Sequence, residues 1–362
     1  LNSELLASNC TSVKIWFTPG RPEKKEMSEP YDALLVVSFG GPEGMDDVMP
    51  FLENVLRGRN VPRERMLGVA KHYELFGGVS PINGQNRKLI AALEQELRTN
   101  GPQLPIYFGN RNWHPLLADT LAKMRDDGVK NALAFVTSAY SSYSSCRQYL
   151  EDVERARATA GADAPRVEKL RAFYNHPGLI EANVDNIQTA LGQIPQERRP
   201  EAQIVFTAHS IPESMAQSCD YEEQLQETGR LIAEAIGTTN WRLVFQSRSG
   251  SPAQPWLGPD VRDVLRGLHS VGTTDAIVAP IGFVSDHMEI IYDLDTEAMT
   301  LCCELGLNMI RAATAGTHPA FIAMIRELIM ERFEPERPRR FLGKFGARIS
   351  PCAPGCCSLV QN

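Results

Sequence analysis

The chain has 362 residues, enough for two compact lobes or one large α/β domain. Hydrophobic residues make up 43% and charged residues 22%, ordinary globular values that exclude a disordered, collagenous or membrane-spanning chain. The net charge of −7 argues against a partner nucleic acid, whose phosphates need a basic excess.

Residues 1–30 show no periodicity and lack the charged start, long apolar middle and cleavage site of a secretory signal. They read as a disordered tail, with Met27 as an alternative start. No stretch approaches the ~18 apolar residues of a membrane span, so no integral membrane segment is expected. Without a signal the chain is placed in the cytoplasm, where disulfides are rare and clustered thiols do metal or redox chemistry.

From residue 31 the pattern alternates strand and helix. The run ALLVVSF at 33–39 is apolar without alternation, the mark of a parallel strand covered on both faces. Helical patterns follow at 46–56, 63–75 and 83–99. Further strands at 106–109 and 131–137 are each followed by a helix, at 115–127 and 147–160. The second half repeats this grammar, with strands at 167–172, 203–208, 242–246, 275–280 and 307–312. Helices fall at 178–191, 221–235, 260–268, 288–305 and 319–331. Such alternation predicts an α/β fold with parallel sheets. The halves echo each other weakly, GVKNALA at 128–134 against GTTDAIV at 272–278. The organisation expected is therefore a tail (1–30), two lobes (31–162 and 163–333) and an extension (334–362).

In open α/β sheets ligands bind beyond the carboxyl ends of the strands, so those loops carry the chemistry. Phe39-Gly40-Gly41-Pro42 is a tight turn with neither a dinucleotide nor a Walker pattern. Arg111 and Trp113 offer a cation and an aromatic to a flat acidic ligand. The loop at 138–149 is rich in hydroxyls and contains Cys146. His209 directly follows a buried strand and precedes a Pro turn, so it is held at the sheet rim. An imidazole with pKa ~6.5 exchanges protons near neutrality, although a lone histidine is by default structural.

What shifts that default is the helix opening at Asp286-His287. Asp286, Glu289, Asp293 and Glu297 are spaced by three, four and four, and would share one helix face. Like charges at that spacing destabilise a helix, and the dipole excuses them only in the first turn. A cation or proton pathway explains the stripe better than a solvated face, and its ligand types suit divalent iron, manganese or zinc. Trp256, in a Gly/Pro-rich loop, would form one wall of a pocket for a large flat ligand. At the other end Cys352, Cys356 and Cys357 crowd a turn-forming segment. They suggest zinc or iron–sulfur ligands, with a fourth to come from Cys10, Cys146, Cys219, Cys302 or Cys303.

These segments together resemble the ferrochelatase family: SFGGPE (38–43), FGGVSPIN (76–83), FGNRNWHP (108–115), SAYSSYSSCRQY (138–149), TAHSIP (207–212), FQSRSG (245–250) with PWLGP (255–259), and GFVSDHMEIIYDLD (282–295). The resemblance covers nearly all of 31–333. It implies two similar Rossmann-like lobes around a porphyrin cleft, and insertion of Fe²⁺, a substrate, into a porphyrin with release of two protons. It implies that His209 binds metal and accepts pyrrole protons, and that Glu289 faces it as a second metal-binding group. Asp286, His287 and Asp293 would form a relay on a locally widened helix. Porphyrin contacts are implied for Phe39, Arg57, Tyr73, Ser80, Tyr149 and Trp256. The segment 56–59, His72, Tyr73, Ser80 and Tyr149 resemble the branch that uses coproporphyrin III, with protoporphyrin IX as the alternative. Phe39 departs from that branch, many members of which carry an iron-ligating tyrosine there. Some members hold a [2Fe–2S] cluster, and Cys146 with Cys352, Cys356 and Cys357 matches its ligand positions. The other thiols then read as ordinary. Partners implied are the porphyrin and neighbouring haem-pathway enzymes. A non-catalytic tetrapyrrole carrier is the rival class, but a carrier needs no acidic relay opposite His209.

Overall fold

A computed structural model describes residues 31–58, 61–249, 253–350 and 355–358, and the backbone of 16–18. The expected tail contributes a short strand, β1 (Trp16–Thr18), while Cys10, Met27, Arg59 and Cys352 lie outside the described residues.

The first lobe contains β2 (Ala33–Ser38), α1 (Met45–Val55), α2 (Arg63–Glu74), α3 (Ile82–Asn100), β3 (Ile106–Asn110), α4 (Leu117–Asp126), β4 (Asn131–Val136), α5 (Gln148–Ala160) and β5 (Arg166–Lys169). A π turn, Tyr143–Arg147, opens α5. After it come α6 (Pro177–Leu191), β6 (Gln203–His209), α7 (Glu213–Ala216), α8 (Tyr221–Ile236), β7 (Trp241–Gln246), α9 (Val261–Ser270) and β8 (Asp275–Ala279). Next is α10 (Met288–Tyr292), which continues through a π segment, Asp293–Ala298, into α11 (Met299–Leu305). Last are β9 (Asn308–Arg311), α12 (Pro319–Phe333) and β10 (Arg339–Phe341).

Two four-stranded sheets result, ordered β3-β2-β4-β5 and β7-β6-β8-β9, and every pairing in them is parallel. The orders match strand for strand, which gives physical substance to the weak sequence echo. β5 pairs with β4, so the first sheet runs on to Lys169, past the boundary at 162 that the sequence suggests. β1 and β10 form a separate antiparallel pair.

All six residues of β2 are buried, as are those of β4 and β8, as their unbroken apolar runs require. Each Val or Leu so buried contributes ~1.5–3 kcal/mol. One core joins both sheets: Leu34 and Val36 of the first share it with Ile204, Phe206 and Ile277 of the second, through α3, α6 and α12. A smaller cluster spans the lobes elsewhere, where Val48, Phe51, Leu52 and Tyr73 of α1 and α2 pack on Met288 of α10. These contacts hold α1 and α2 of the first lobe against α10, beside the carboxyl end of the second sheet.

Candidate active site

In each sheet the order of strand addition reverses between its first and third strands in the chain, and in the second sheet that switch point lies between β6 and β8. β6 ends on His209, and the loop after β8 leads to His287 and α10. The topology therefore carries the imidazole and the acidic helix to one crevice. Gly282 makes their approach possible. A Cβ there would stand 2.6 Å from Ala208 Cα, just behind His209, so only glycine fits the unshifted backbone.

His209 Nδ1 donates to the Ser210 carbonyl, which leaves Nε2 facing Glu289 Oε1 at 3.5 Å. Tyr221 Oη, 3.0 Å from the His209 carbonyl, steadies the strand end. Burial works against the imidazolium, but the Glu289 carboxylate, the Ser210 carbonyl and Asp293 outweigh it and push His209 up to about 9. Burial likewise opposes the Glu289 carboxylate, yet His209, with help from His287, holds it down at about 2. At neutral pH the pair is an imidazolium beside a carboxylate. It is open to the cleft, with 30% and 46% of the two side chains exposed.

His287 caps α10, its Nδ1 accepting from Glu289 N at 3.2 Å and lying 3.8 Å from Glu289 Oε2. Burial, and the charge of His209, push His287 below the ordinary imidazole value against the pull of Glu289. From the helix cap it supports the Glu289 carboxylate by position.

Asp293 opens the π segment. It accepts from Ser247 Oγ and, at 3.4 Å, from Gln246 Nε2, which also reaches the Glu289 carbonyl at 3.0 Å. Burial, together with the charges of Glu289 and Glu297, raises Asp293 to about 7 against the Ser247 hydrogen bond. It is thus a carboxyl that exchanges protons at physiological pH, one step from the His209–Glu289 pair. Ser247 has φ 61, a backbone that non-glycine residues seldom adopt, and such outliers gather at functional sites.

The fourth member of the sequence stripe is elsewhere. Asp286 precedes α10 and receives Arg311 at 3.2 Å and Thr314 Oγ1 at 3.1 Å, while its amide donates to Gln85 of the first lobe at 2.8 Å. A loop residue does not share the face of the helix that follows it, so the stripe comprises Glu289, Asp293 and Glu297. Asp295 also pairs with Arg311, and Glu297 with Arg262 at 3.2 Å. His72 of α2 stacks on Tyr292 with ring centroids 3.8 Å apart, and burial pushes its imidazole below the ordinary value against the pull of Glu297.

The opposite wall is aromatic. Phe51 holds Phe39, Tyr73 and Trp113 edge-on at 6.2, 5.9 and 6.3 Å. Phe39 is 37% exposed at the turn after β2. Tyr73 is buried within electrostatic reach of Glu289, and burial raises its phenol well above the usual range. Ser80 is buried against Gly41, where a Cβ would come within 2.6 Å of its own. Arg57 is exposed and donates to Asn54 at 2.5 Å. Tyr149 belongs to the second core cluster of the first lobe, with Arg111 4.4 Å over its ring. Trp256 bridges to Pro212, three residues from His209, and its buried indole N–H has no acceptor among the described residues.

The geometry therefore gathers His209, His287, Glu289 and Asp293 at the end of β6, with Tyr73 packed beside Met288 and Phe39 joined to it through Phe51. Asp286 is held in an ion pair and Tyr149 in a core. Sequence reasoning passed over Gln246, Ser247 and Arg311. The first two were in a quoted motif, but only the β6–β7 register, which sets Gln246 opposite His209, reveals their proximity.

Of the thiols, Cys146 lies buried in the π turn before α5, and Cys356 and Cys357 stand with sulfurs 3.7 Å apart. Cys302 is sealed in the second lobe's core and Cys303 is exposed. Among the described residues no three His, Cys, Asp or Glu side chains are spaced to hold a metal ion, and no helix is long and apolar enough to cross a membrane.

Residues 31–333 match the family model described as Ferrochelatase. A ferrochelatase of Rhodopirellula baltica is 56% identical over 337 residues, covering 91% of this chain and 95% of the relative. A coproporphyrin III ferrochelatase of Nocardia farcinica is 51% identical over 339 residues, covering 90% of this chain and 96% of the relative. Among solved structures, SirB from Bacillus subtilis with Fe³⁺ has a TM-score of 0.53 at 11% identity, covering 83% of this chain and 95% of that one. That likeness is one of fold.

Proposed function

The chain belongs to the ferrochelatase family, and from that premise we propose that its cleft inserts ferrous iron into coproporphyrin III, releasing two protons, with protoporphyrin IX the alternative substrate. The observation that carries the reading is the His209–Glu289 pair beside a carboxyl poised at about 7. Metallation removes two N–H protons from the macrocycle, so the site needs a base that can be emptied and a route away from it. His209 Nε2 is that base once its own proton has left. Ferrous iron arriving near the pair opposes the imidazolium and expels the proton it shares with Glu289. Asp293 accepts it and passes it along Glu289–Asp293–Glu297, toward the α2 side of the cleft. The open pair, 30% and 46% exposed, suits metal capture, since a sealed carboxylate would be costly to reach.

Binding energy from the porphyrin's periphery bends the ring against Phe39, Tyr73 and Trp256 and exposes a pyrrole lone pair, a strain paid for by contacts remote from the metal. Arg57, with Arg59 outside the described residues, would take propionates, and Ser80 and Tyr149 would contact the ring. In this reading Asp286 and His287 position the relay rather than carry the proton. The two substrates are compared by supplying Fe²⁺ with each porphyrin and measuring kcat/KM. His209→Ala should abolish turnover with either, and full activity in that variant rejects the assignment.

We further propose a [2Fe–2S] cluster held by Cys146 and tail thiols, with Cys352 as the fourth ligand that the sequence offers. What supports the reading is the chemistry of the donors, soft thiols of which Cys146 and Cys357 are buried, although the described thiols are not spaced to hold a metal ion. Free thiols are compatible with the cytoplasmic location proposed for the enzyme, beside the other haem-pathway enzymes.

A further inference from the structure

The strand order puts β7 and β9 at the two outer edges of the second sheet, with β6 and β8 between them. The helix that begins at α10 is tied to both edges. Asp293 is held at the β7 edge by Ser247 and Gln246. The tie at the β9 edge is Arg311, the last residue of that strand. Its Nη1 and Nη2 donate to Asp286 Oδ1 and Oδ2 at 3.3 and 3.2 Å, a forked pairing that fixes direction as well as distance. Its Nε donates to Asp295 Oδ1 at 2.5 Å. One guanidinium thus holds two carboxylates that stand nine residues apart in the chain.

Where those carboxylates sit gives the pairing its meaning. Asp286 stands just before α10, and Asp295 lies inside the π segment. Helical side chains lean toward the N-terminus, so Asp295 reaches back to the guanidinium that Asp286 meets. Residues two apart do not share a helix face, so Asp295 goes to the β9 edge while Asp293 goes to the β7 edge. Widened turns are rare and gather at functional sites. This one is braced from inside, where Thr296 Oγ1 donates to the Ile291 carbonyl at 3.0 Å, and from outside by Arg311. The clamp is itself held in place. Thr314 Oγ1 donates to Asp286 at 3.1 Å, and the Asp286 amide donates to Gln85 of α3 at 2.8 Å. With the Arg311 and Asp286 side chains 18% and 17% exposed, the pair is partly sheltered from water and salt.

We infer that Arg311 is a positioning residue for the proton relay: by clamping Asp286 and Asp295 it sets the rotation of the π segment and so keeps the Asp293 carboxyl on Ser247. The inference rests on the relay proposed above, in which Asp293 takes the proton of the His209–Glu289 pair. The charged groups acting on Asp293 are His209 of β6, Arg262 of α9, Glu289 of α10 and Glu297 of the π segment, beside the Tyr292 phenol. A substitution of Arg311 leaves all of them in the chain. It frees the segment to turn, and the carboxyl then loses the Ser247 hydrogen bond that holds it down.

The test is the pH dependence of kcat and KM for Fe²⁺ insertion into coproporphyrin III by the full-length protein. Arg311→Ala should lower kcat ~10²-fold, the cost of misplacing a group near the chemistry by about 1 Å, and leave the porphyrin KM unchanged. The neutral limb of its profile should move to higher pH, as in Ser247→Ala. Loss of a nearby cation would push the limb the same way, so the substitution is repeated in the Ser247→Ala background. There it should move the limb no further, because the hydrogen bond it releases is already gone. Asp295→Ala supplies the opposite control and serves if Arg311→Ala fails to fold. Loss of its negative charge alone would move the limb down, so an upward move reports position. Arg311→Ala with wild-type kcat and limb overturns the inference. So does a fall in kcat with the limb unmoved, a limb that moves equally in both backgrounds, or an Asp295→Ala limb at or below the wild-type pH. Asp293→Asn tells this failure from that of the relay: should it keep the wild-type limb, the relay falls and the inference with it.

Discussion

Replacing Glu289 by Gln keeps the shape of the His209 partner and removes its charge. At 3.5 Å, two unit charges attract by ~1.2 kcal/mol in bulk water and ~4.7 kcal/mol at an effective dielectric of ~20. At 1.36 kcal/mol per unit these limits correspond to ~0.9 and ~3.5 pKa units. The rise of His209 from 6.5 to about 9 falls between them, as it should for side chains that are partly exposed. In Glu289→Gln only burial, the Ser210 carbonyl and Asp293 remain, so His209 should titrate at least ~1 unit lower, toward or below the ordinary ~6.5. Nuclear magnetic resonance titration of histidine-labelled protein, assigned with His209→Gln, reads the shift directly. The signs of the pH dependence follow. A raised imidazole pKa favours the native state fully below 6.5, and that benefit is lost as pH rises through about 9. The depressed Glu289 pKa favours it above 4.5, and that is lost as pH falls through about 2. Glu289→Gln should therefore narrow the difference in thermal stability between pH 6 and pH 10. A His209 that titrates at the same pH in both proteins would refute the coupling, and with it the proton-holding pair at the centre of the mechanism.

Asp293→Asn should flatten the neutral limb of the pH–rate profile and slow turnover ~10²–10⁴-fold, the usual worth of a positioned acid or base. Since the Asp293 pKa is raised, its contribution to stability is present below 3.8 and lost as pH rises through about 7, so the Asn variant should melt higher than wild type at pH 8 and not at pH 3.5. Ser247→Ala removes the hydroxyl that holds Asp293 down and should move that neutral limb to higher pH. Gly282→Ala forces a Cβ to 2.6 Å from Ala208 Cα, so kcat should fall sharply, while Gly258→Ala, with open space around its Cβ, leaves His209 where it is; equal activity in the two would contradict the close packing behind the catalytic strand. Arg57→Ala should raise KM for coproporphyrin III more than for protoporphyrin IX, since the first carries more propionates for a guanidinium to hold.

Much of this architecture was legible because burial writes itself into composition. The unbroken runs at 33–38 and 275–279 could only be strands covered on both faces, and they are. The acidic stripe was legible as an anomaly, since repulsive spacing needs a reason. What the sequence could not give was rotation and register. Asp286 satisfies the helical spacing on paper, but the helix begins after it, and its carboxylate goes to Arg311, a residue on β9. Gln246 and Ser247 gain meaning only from strand pairing across His209. Sequence pattern reports local periodicity, and a site is assembled from loops whose proximity is set by topology.

The matching strand orders make the asymmetry of the two switch points informative. In the first sheet the turn after its first strand is Phe39-Gly40-Gly41-Pro42, and beneath it neutral groups pair, Asn86 with Ser38 and Asn110 with Asn83, which also donates to the Gly41 carbonyl. In the second sheet the register sets His209 where the first has Phe39, and the helix after the third strand supplies Glu289. One fold unit is thus used twice, once as a rigid aromatic and amide wall and once as a proton-exchanging one. A macrocycle pressed between them meets shape on one face and charge on the other. The Asn and Ser pairs cannot change their charge with pH, so in the proposed mechanism they would keep one geometry while the opposite wall exchanges protons. Were both walls ionisable, each protonation step would alter the fit of the ring, and binding strain could not be held constant through the two deprotonations. In the proposed mechanism this division of labour would let the first lobe hold the distortion while the second carries out the chemistry.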